Sequence, residues 1–244
     1  PTACNQWLLH DIDLSAYDGQ TVMLRFTGIG NFGNDLFLDN IAVVNTGVKL
    51  AMKVMLDGPY DPVTFKMRDD LRIAGSIPAF EPFTVAGFTT VGGGGEMRQA
   101  NAFATNGDNA IVDWVLVELR SAITPSTIIA TRAALVQRDG DVVAEDGVNA
   151  IALLAPNGNY HVAVRHRNHL GVMTASPVAL SAITVALDLT NGSVATFGSN
   201  AQKVTGTMRL LWAGNTLLDG TLKYVGANND RDPILVRIRI QPGN

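Results

Sequence analysis

Apolar and polar residues alternate at every second position through much of the chain, and this pattern restricts what the chain can fold into. Side chains on one face of a strand recur with a period of two, whereas the apolar face of a helix recurs about every 3.6 residues. Alternating runs bounded by Gly, Asn, Asp and Pro turns are typical of antiparallel sandwiches. The strands that we predict are Val22–Phe26, Leu36–Val44, Lys49–Leu56, Ala110–Leu119, Thr127–Gln137, His161–Arg165 and Ile183–Leu189.

This pattern predicts an all-β chain built from antiparallel β-sandwich units, jelly-roll-like or Ig-like, with a small C-terminal segment. The length of 244 residues allows one to three domains. Changes in composition divide the chain into residues 1–47, 48–190 and 191–244. Near the end, Asp232 followed by Pro233 resembles a helix N-cap and a first helical position. The alternation of apolar and basic residues over Ile234–Ile240 predicts instead a strand with one apolar face.

Charge and composition exclude several classes of partner. The chain has 18 Lys and Arg against 22 Asp and Glu, and no segment is strongly basic, so we expect no nucleic-acid partner. No apolar run approaches the length of a membrane-spanning helix, so we expect no membrane span. The one cysteine, Cys4, permits neither an internal disulfide nor a Cys-rich zinc site. The apolar share of 47% must therefore enter a sandwich core or subunit interfaces.

A turn and a strand near the N-terminus carry a resemblance to a known family. Leu14-Ser15-Ala16-Tyr17-Asp18-Gly19 is followed by Asp39-Asn40-Ile41. This pattern resembles the last strands of the MAM-like or cleaved-adhesin jelly rolls of secreted Bacteroidota proteins. Motifs such as Leu56–Tyr60 and Arg165–Leu170 are similar to those of large surface proteins of that phylum, which resemble cargo of the type IX secretion route. The resemblance implies an extracellular or cell-surface location. Since the chain begins with Pro1 and has no signal peptide, we interpret it as a piece of a longer secreted precursor.

The C-terminal segment resembles a dockerin-like calcium segment over Trp212–Tyr224 and Asn228–Leu235. Calcium binds six to eight oxygen atoms, and the calcium loop places them at fixed positions around a glycine. The oxygen-bearing side chains that we predict to bind calcium are Asn215, Asp219, Asn228, Asp230 and Asp232. The alternative is that Asp219 and Gly220 form a turn and Asp232 caps a helix. A second candidate ion site, implied by the jelly-roll resemblance, contains Asp35 and Asp39.

The other chemical candidates favour structural roles. His161, His166 and His169 lack the spacing of a helical zinc pair, so we expect hydrogen bonds that fix a loop, with a metal site as the alternative. Gly92–Gly95 is not followed by the Lys-Ser/Thr of a phosphate loop and predicts a flexible hairpin tip. No Gly-x-Ser-x-Gly motif occurs. We therefore predict that the protein is not an enzyme.

Three functional hypotheses follow. The first is an extracellular structural or surface protein, a self-assembling filament or matrix subunit, because residues 1–47 supply only part of a jelly roll and leave a strand edge that another copy can pair with. The second is an adhesion or glycan-binding module of a larger secreted protein. Its stacking platform would be Tyr60, Phe80, Phe83 and Phe88, unless these aromatics are core or interface residues. The third is a metal-assisted hydrolase at the histidine cluster.

Overall fold

The structure is a computed structural model, and it describes Ile12, Leu14, residues 22–28, Ile41 and residues 47–239. The chain divides into two compact units, residues 1–45 and 46–244. In the first unit, residues 22–28 form no strand and their side chains are exposed, so the prediction of a strand over Val22–Phe26 is wrong for the single chain. A strand requires a hydrogen-bonded neighbour, and this segment has none among the described residues. Apart from Ile41, the strand predicted over Leu36–Val44 lies outside the described residues, as does the Asp35 and Asp39 site.

The described part of the second unit contains thirteen strands and two α-helices, most of them short. The strands are β1 (Val48–Lys53), β2 (Tyr60–Asp61), β3 (Lys66–Met67), β4 (Ile111–Ser121), β5 (Ile128–Gln137), β6 (Asp141–Val143), β7 (Ile151–Leu153), β8 (Gly158–His166), β9 (His169–Met173), β10 (Val178–Leu180), β11 (Val185–Asp188), β12 (Lys203–Thr205) and β13 (Met208–Leu210). The helices are α1 (Asp70–Ile73) and α2 (Arg231–Arg239), and Gly107–Asn109 forms a 3₁₀ turn.

Nine of these strands form one sheet in the order β10-β8-β4-β5-β6-β1-β11, with β7 paired to β1 and β9 paired to β8. Every pairing in this sheet is antiparallel except that of β1 with β11. The predicted all-β, antiparallel β-sandwich class is confirmed. The predicted strands from Lys49 onward correspond to β1, β4, β5, β8 and β11.

The main core lies on one face of the long strands. Along β4, Val115, Val117 and Leu119 are buried in it together with Val48 and Leu50 of β1. Successive side chains of a strand point to opposite faces, so Val115, Val117 and Leu119 share the face of β4 that this core covers. Leu210 and Leu211 also belong to this core, so residues from the start of the predicted 191–244 segment pack on the sandwich.

A second core covers the opposite face of β4 and β5. Trp114 and Leu116 of β4 pack there against Ile77 and Phe83, which lie in the long connection before β4. The indole N–H of Trp114 donates to the carbonyl oxygen of Pro78 at 3.0 Å. The connection between α1 and β4 is therefore a packed layer. Truncating an aromatic side chain of this core to alanine typically costs about 3–5 kcal/mol.

The end of the described chain is helical. Asn229 Oδ1 accepts a hydrogen bond from the Asp232 N–H at 3.0 Å, and Asn229 Nδ2 donates to the Asp232 carboxylate. Asn229 thus caps α2, the role that the sequence assigned to Asp232. With this cap and Pro233 in its first turn, the segment forms a helix, so the strand predicted over Ile234–Ile240 is wrong. No helix among the described residues is long and apolar enough to cross a bilayer.

Candidate functional site

A buried polar cluster joins β4 to the β8–β9 hairpin. One oxygen of Asp113, Oδ2, accepts hydrogen bonds from Arg167 Nη2 at 2.7 Å and from His166 Nε2 at 3.3 Å. The other oxygen accepts the Trp114 N–H at 2.8 Å. His166 Nδ1 lies 3.0 Å from His169 Nδ1 across the hairpin. Asp113, His166 and His169 are all buried. We call these residues, with Arg167 and Asn168, the Asp113 network.

The hydrogen bonds assign a tautomer to each histidine. The Gly58 N–H donates to His169 Nε2 at 3.3 Å, so the proton of His169 is on Nδ1, where it reaches Asn168 Oδ1 at 2.7 Å. His166 Nδ1 accepts from the Asn168 N–H and faces the proton of His169, so His166 carries its proton on Nε2 toward Asp113. Burial lowers the pKa of His169 to about 3, and nearby His166 and Arg167 add to this shift.

This network fixes a loop, as predicted, and uses the nitrogen atoms that a metal ion would need. A metal on His169 Nδ1 requires the proton on Nε2, because a metal-bound histidine carries its proton on the other ring nitrogen. That proton would face the Gly58 N–H donor. His161 lies apart and bonds the Thr174 carbonyl oxygen through Nδ1 at 2.9 Å. The geometry therefore favours the structural role over the metal-site alternative.

Asp230 organises the segment for which we predicted calcium binding. Its Oδ1 accepts the N–H groups of Thr216 at 2.9 Å and Leu217 at 3.2 Å, and its Oδ2 accepts that of Lys223 at 2.8 Å. Burial raises the pKa of Asp230, but these hydrogen bonds outweigh it, and the pKa lies below the ordinary value. The carboxylate is thus surrounded by N–H donors, which fasten the loops of residues 216–223 to the start of α2.

The other predicted calcium ligands are distributed around Asp230. Asn215 is buried and donates to the Asp219 carbonyl oxygen at 2.9 Å, while its own Oδ1 is buried and has no hydrogen-bond partner among the described residues. The Asp219 carboxylate accepts from Thr221, as in the predicted turn. Asn228 adopts a left-handed backbone with φ of 53°.

A test of fit for calcium separates these side chains. Asn215 Oδ1 is an oxygen of the kind that calcium binds, whereas the Asp230 oxygens are filled by N–H donors and Asp232 bonds Asn229 and Arg231. No three His, Cys, Asp or Glu side chains converge on a metal position within the described residues. Calcium binding by Asn215, Asp219, Asn228, Asp230 and Asp232 stays a prediction.

Two buried glutamates that the sequence did not single out hold the glycine tract. Glu81 accepts the N–H groups of Phe83, Thr84 and Gly95 at 2.6, 3.1 and 3.0 Å, and Glu96 accepts that of Gly94 at 3.0 Å. Although burial raises the pKa of Glu81, these bonds hold it below the ordinary value. The prediction of a free hairpin tip is wrong here, because the tract is tied at both glutamates. The sequence feature that could have indicated this contact is Glu96, which directly follows the four glycines.

The glycine tract borders an open polar cleft of about 410 Å³. Arg132 forms an ion pair with Glu145 there, and Gln99 and Met97 complete one side. A Cβ on Gly93 would lie 2.3 Å from the Thr131 carbonyl oxygen, so only glycine fits at that position. The lining of the cleft is polar, and the backbone of Gly94 and Gly95 at its border is hydrogen-bonded to Glu96 and Glu81.

The four aromatic residues considered for glycan stacking do not form one surface. Tyr60 is buried in the main core, and Phe83 is buried in the second core with Phe88 packed against it. Phe80 alone of the four is largely exposed, at 58%. The alternative prediction that these aromatics are mainly core residues is correct for Tyr60, Phe83 and Phe88.

Apolar side chains are also exposed in residues 22–28. Val22 and Leu24 are each 44% exposed and Phe26 is 55% exposed, whereas the intervening Met23 is 89% exposed. The alternate residues thus share one less exposed side.

Comparison with known proteins returns no matching family model, no matching curated protein and no matching solved structure.

Proposed function

We propose that this protein is an extracellular structural subunit that self-assembles, with residues 1–47 joining a neighbouring copy by β-strand addition. The observation that carries the proposal is the exposed alternating set Val22, Leu24 and Phe26, which lacks a strand partner among the described residues. An unpaired, apolar strand-like segment is a template for pairing with another chain. Full burial of such a side chain is worth about 1.5–3 kcal/mol, and because these three are about half exposed, contact with a second copy can contribute roughly half of that for each.

The polar clusters of the second unit support a structural role. In the Asp113 network, the histidines, the aspartate and the arginine bond one another, and both imidazoles are buried. Asp230 bonds backbone N–H groups of its own segment. These groups stabilise the fold. The extracellular location rests on the resemblance of residues 7–45 to secreted jelly rolls.

A matched pair of substitutions tests the proposal in the full chain. Leu24→Asp places a charge on the side shared by Val22 and Phe26, whereas Met23→Asp places the same charge on the opposite, more exposed side. We expect the unmodified chain and Met23→Asp to form polymers in light scattering and negative-stain images, and Leu24→Asp to remain monomeric. A monodisperse monomer for the unmodified chain at high concentration, or equal behaviour of the two variants, contradicts the proposal.

The open cleft favours a second candidate function, an adhesion or glycan-binding module of a larger secreted protein. Phe80 is exposed and pairs with Met97, which lines the cleft beside Arg132 and Glu145. Ring stacking combined with charged and amide groups is a common way to bind sugars. Screening of the chain and of Phe80→Ala against a glycan array tests this function, and equal binding by both removes the role of Phe80.

A further inference from the structure

The C-terminal segment, residues 214–239, buries polar side chains and exposes apolar ones. Asn215, Asn229 and Asp230 are buried, with at most 5% of each exposed. The large apolar side chains on its outside are between 39% and 73% exposed, and they are Leu217, Leu222, Tyr224, Val225, Ile234, Leu235 and Val236. This distribution is the reverse of that expected for a segment whose outer surface meets only water. Concentrated apolar exposure marks an interaction surface.

This surface is held in place by the chain itself. Asp230 binds the backbone of Leu217 and Lys223 through its carboxylate, and its own N–H donates to the Lys223 carbonyl oxygen at 2.9 Å. The Arg231 guanidinium lies over the Tyr224 ring at 5.2 Å. The loop that carries Leu222, Tyr224 and Val225 is thereby fastened to the start of α2, which carries the other exposed residues. The apolar side chains are presented on a preorganised element, which lowers the ordering cost of binding.

The charge of the two ends of the chain indicates what this surface binds. The C-terminal segment, residues 214–239, contains four Lys and Arg and three Asp, a net charge of +1. Residues 1–47 contain five Asp and one Arg, a net charge of −4. The acidic end also has uncovered apolar side chains, at Val22, Leu24 and Phe26. Opposite charge combined with apolar exposure on both sides favours association between the two ends of different copies.

We propose that the C-terminal segment of one copy docks onto the N-terminal block, residues 1–47, of a second copy. This inference rests on the proposed self-assembly and adds a side-chain contact to the strand addition, because the apolar residues of the C-terminal segment lie in loops and in α2. The contact is heterologous, since one end of each copy binds the opposite end of the next. Heterologous contacts that do not close into a ring grow as filaments.

A charge exchange between the two ends tests the pairing in full-length chains. One variant carries Arg237→Glu at the basic end, which changes the net charge of residues 214–239 from +1 to −1. The other carries Asp11→Lys, Asp13→Lys and Asp18→Lys at the acidic end, which changes the net charge of residues 1–47 from −4 to +2. We expect each variant alone to associate at least tenfold more weakly than the unmodified chain in sedimentation velocity. An equimolar mixture should regain polymers, because every head-to-tail contact in an alternating polymer again joins opposite charges. A mixture no stronger than its components overturns the pairing.

Two controls keep the test decisive. Lys49→Glu reverses an exposed charge outside the C-terminal segment and should leave assembly unchanged. If Arg237→Glu disturbs folding in circular dichroism, Lys223→Glu, at an exposed position of the same segment, replaces it. Because the Debye length falls to about 3 Å in 1 M salt, high salt should weaken assembly of the unmodified chain.

The apolar contribution is tested by Leu235→Asp, with Ile183→Asp as the control at an exposed position on the sandwich. We expect the first substitution to prevent assembly and the second to leave it unchanged. If Arg237→Glu and Leu235→Asp polymerise like the unmodified chain while Leu24→Asp does not, the docking proposal is wrong and the self-assembly proposal stands. If the unmodified chain is a monomer at high concentration, both proposals are wrong.

Discussion

The Asp113 network and the C-terminal segment are each built around one buried aspartate, but the two aspartates bind different kinds of partner. Asp113 is 2% exposed and bonds the side chains of His166 and Arg167, more than fifty residues away in sequence. Asp230 is 5% exposed and bonds backbone N–H groups at most 14 residues away. The first joins distant strands of the sandwich, whereas the second closes local loops.

The surroundings of the two aspartates differ as well. Trp114, next to Asp113, is fully buried in the second core, and the network lies where β4 meets the β8–β9 hairpin. Around Asp230, apolar side chains such as Leu235 and Val236 remain exposed. A buried carboxylate with long-range partners is part of the cooperative fold, while one with short-range partners can hold a surface element whose opening leaves the fold intact. This difference predicts global effects at the first site and local effects at the second.

The largest effect is expected for Asp113→Ala. The substitution leaves Arg167 and His166 without their acceptor and frees the Trp114 N–H inside the fold. Removing one partner of a buried charge pair costs about 3–5 kcal/mol, so we expect a loss near 4 kcal/mol in the free energy of unfolding. Urea denaturation measures it, and Asp113→Asn, which keeps the shape of the side chain and one acceptor oxygen, should lose clearly less. A change within roughly 0.5 kcal/mol for the alanine variant is that of a surface residue and contradicts this role.

Acid should weaken the sandwich through His169. Its pKa is about 3 in the folded protein, against an ordinary value of 6.5. Between these values the unfolded chain binds the proton and the folded chain does not, so stability is fully present above pH 6.5 and is lost as pH falls toward 3. At pH 4 the loss amounts to about 3 kcal/mol relative to pH 7.

The His169→Gln variant checks this origin, because glutamine can still accept or donate a hydrogen bond but does not titrate. Urea midpoints of both chains at pH 7 and pH 4 give the comparison. We expect the variant to lose less stability between these pH values than the unmodified chain. Equal losses show that the acid sensitivity arises elsewhere.

The long strands follow from the sequence because their alternation extends over enough residues. β4 and β5 have 11 and 10 residues, and their apolar positions divide between two buried faces. The three-residue strands β6, β7, β10, β12 and β13 have too few positions to establish a period. The alternation of apolar and basic residues gave a wrong prediction of a strand over Ile234–Ile240, where the Asn229 cap and Pro233 favour a helix. Local capping outweighed a pattern that no neighbouring strand supports.

The sites depend on contacts that no local pattern encodes. The spacing of His166 and His169 on one hairpin indicated a hydrogen-bonded loop, but their link to Asp113 needs the pairing of distant strands. Glu81 and Glu96 bind backbone N–H groups. Because every residue type except proline supplies a backbone N–H group, the sequence does not indicate which residues these glutamates bind. Asp230 was assigned to calcium because of its oxygen atoms, and the structure adds that N–H donors surround them.

The smallest effect is expected for Asp230→Asn, and it should be local. The substitution replaces one acceptor oxygen by an amide group, so an N–H that Asp230 now binds, such as that of Lys223 or of Leu217, loses its partner. An unsatisfied buried donor costs about 1–3 kcal/mol, and we expect the lower part of that range because water can reach an opened loop. Hydrogen exchange should rise at least tenfold at residues 216, 217 and 223 and stay unchanged in β4. Asp219→Asn is the matched control, because among the described residues that exposed carboxylate accepts hydrogen bonds from Thr221 alone.

Acid separates the two aspartate-centred regions in the same experiment. The pKa of Asp230 lies below its ordinary value of 3.8, so its contribution is present above that pH and is lost only as pH falls through the folded value. Between pH 6.5 and pH 4 the sandwich should therefore lose protection through His169 while the amides bound by Asp230 keep theirs relative to the sandwich. Two outcomes contradict the division into a cooperative sandwich and a locally fastened docking surface. One is hydrogen exchange that rises first at residues 216, 217 and 223 in this pH range. The other is exchange that rises throughout the sandwich in Asp230→Asn at pH 7.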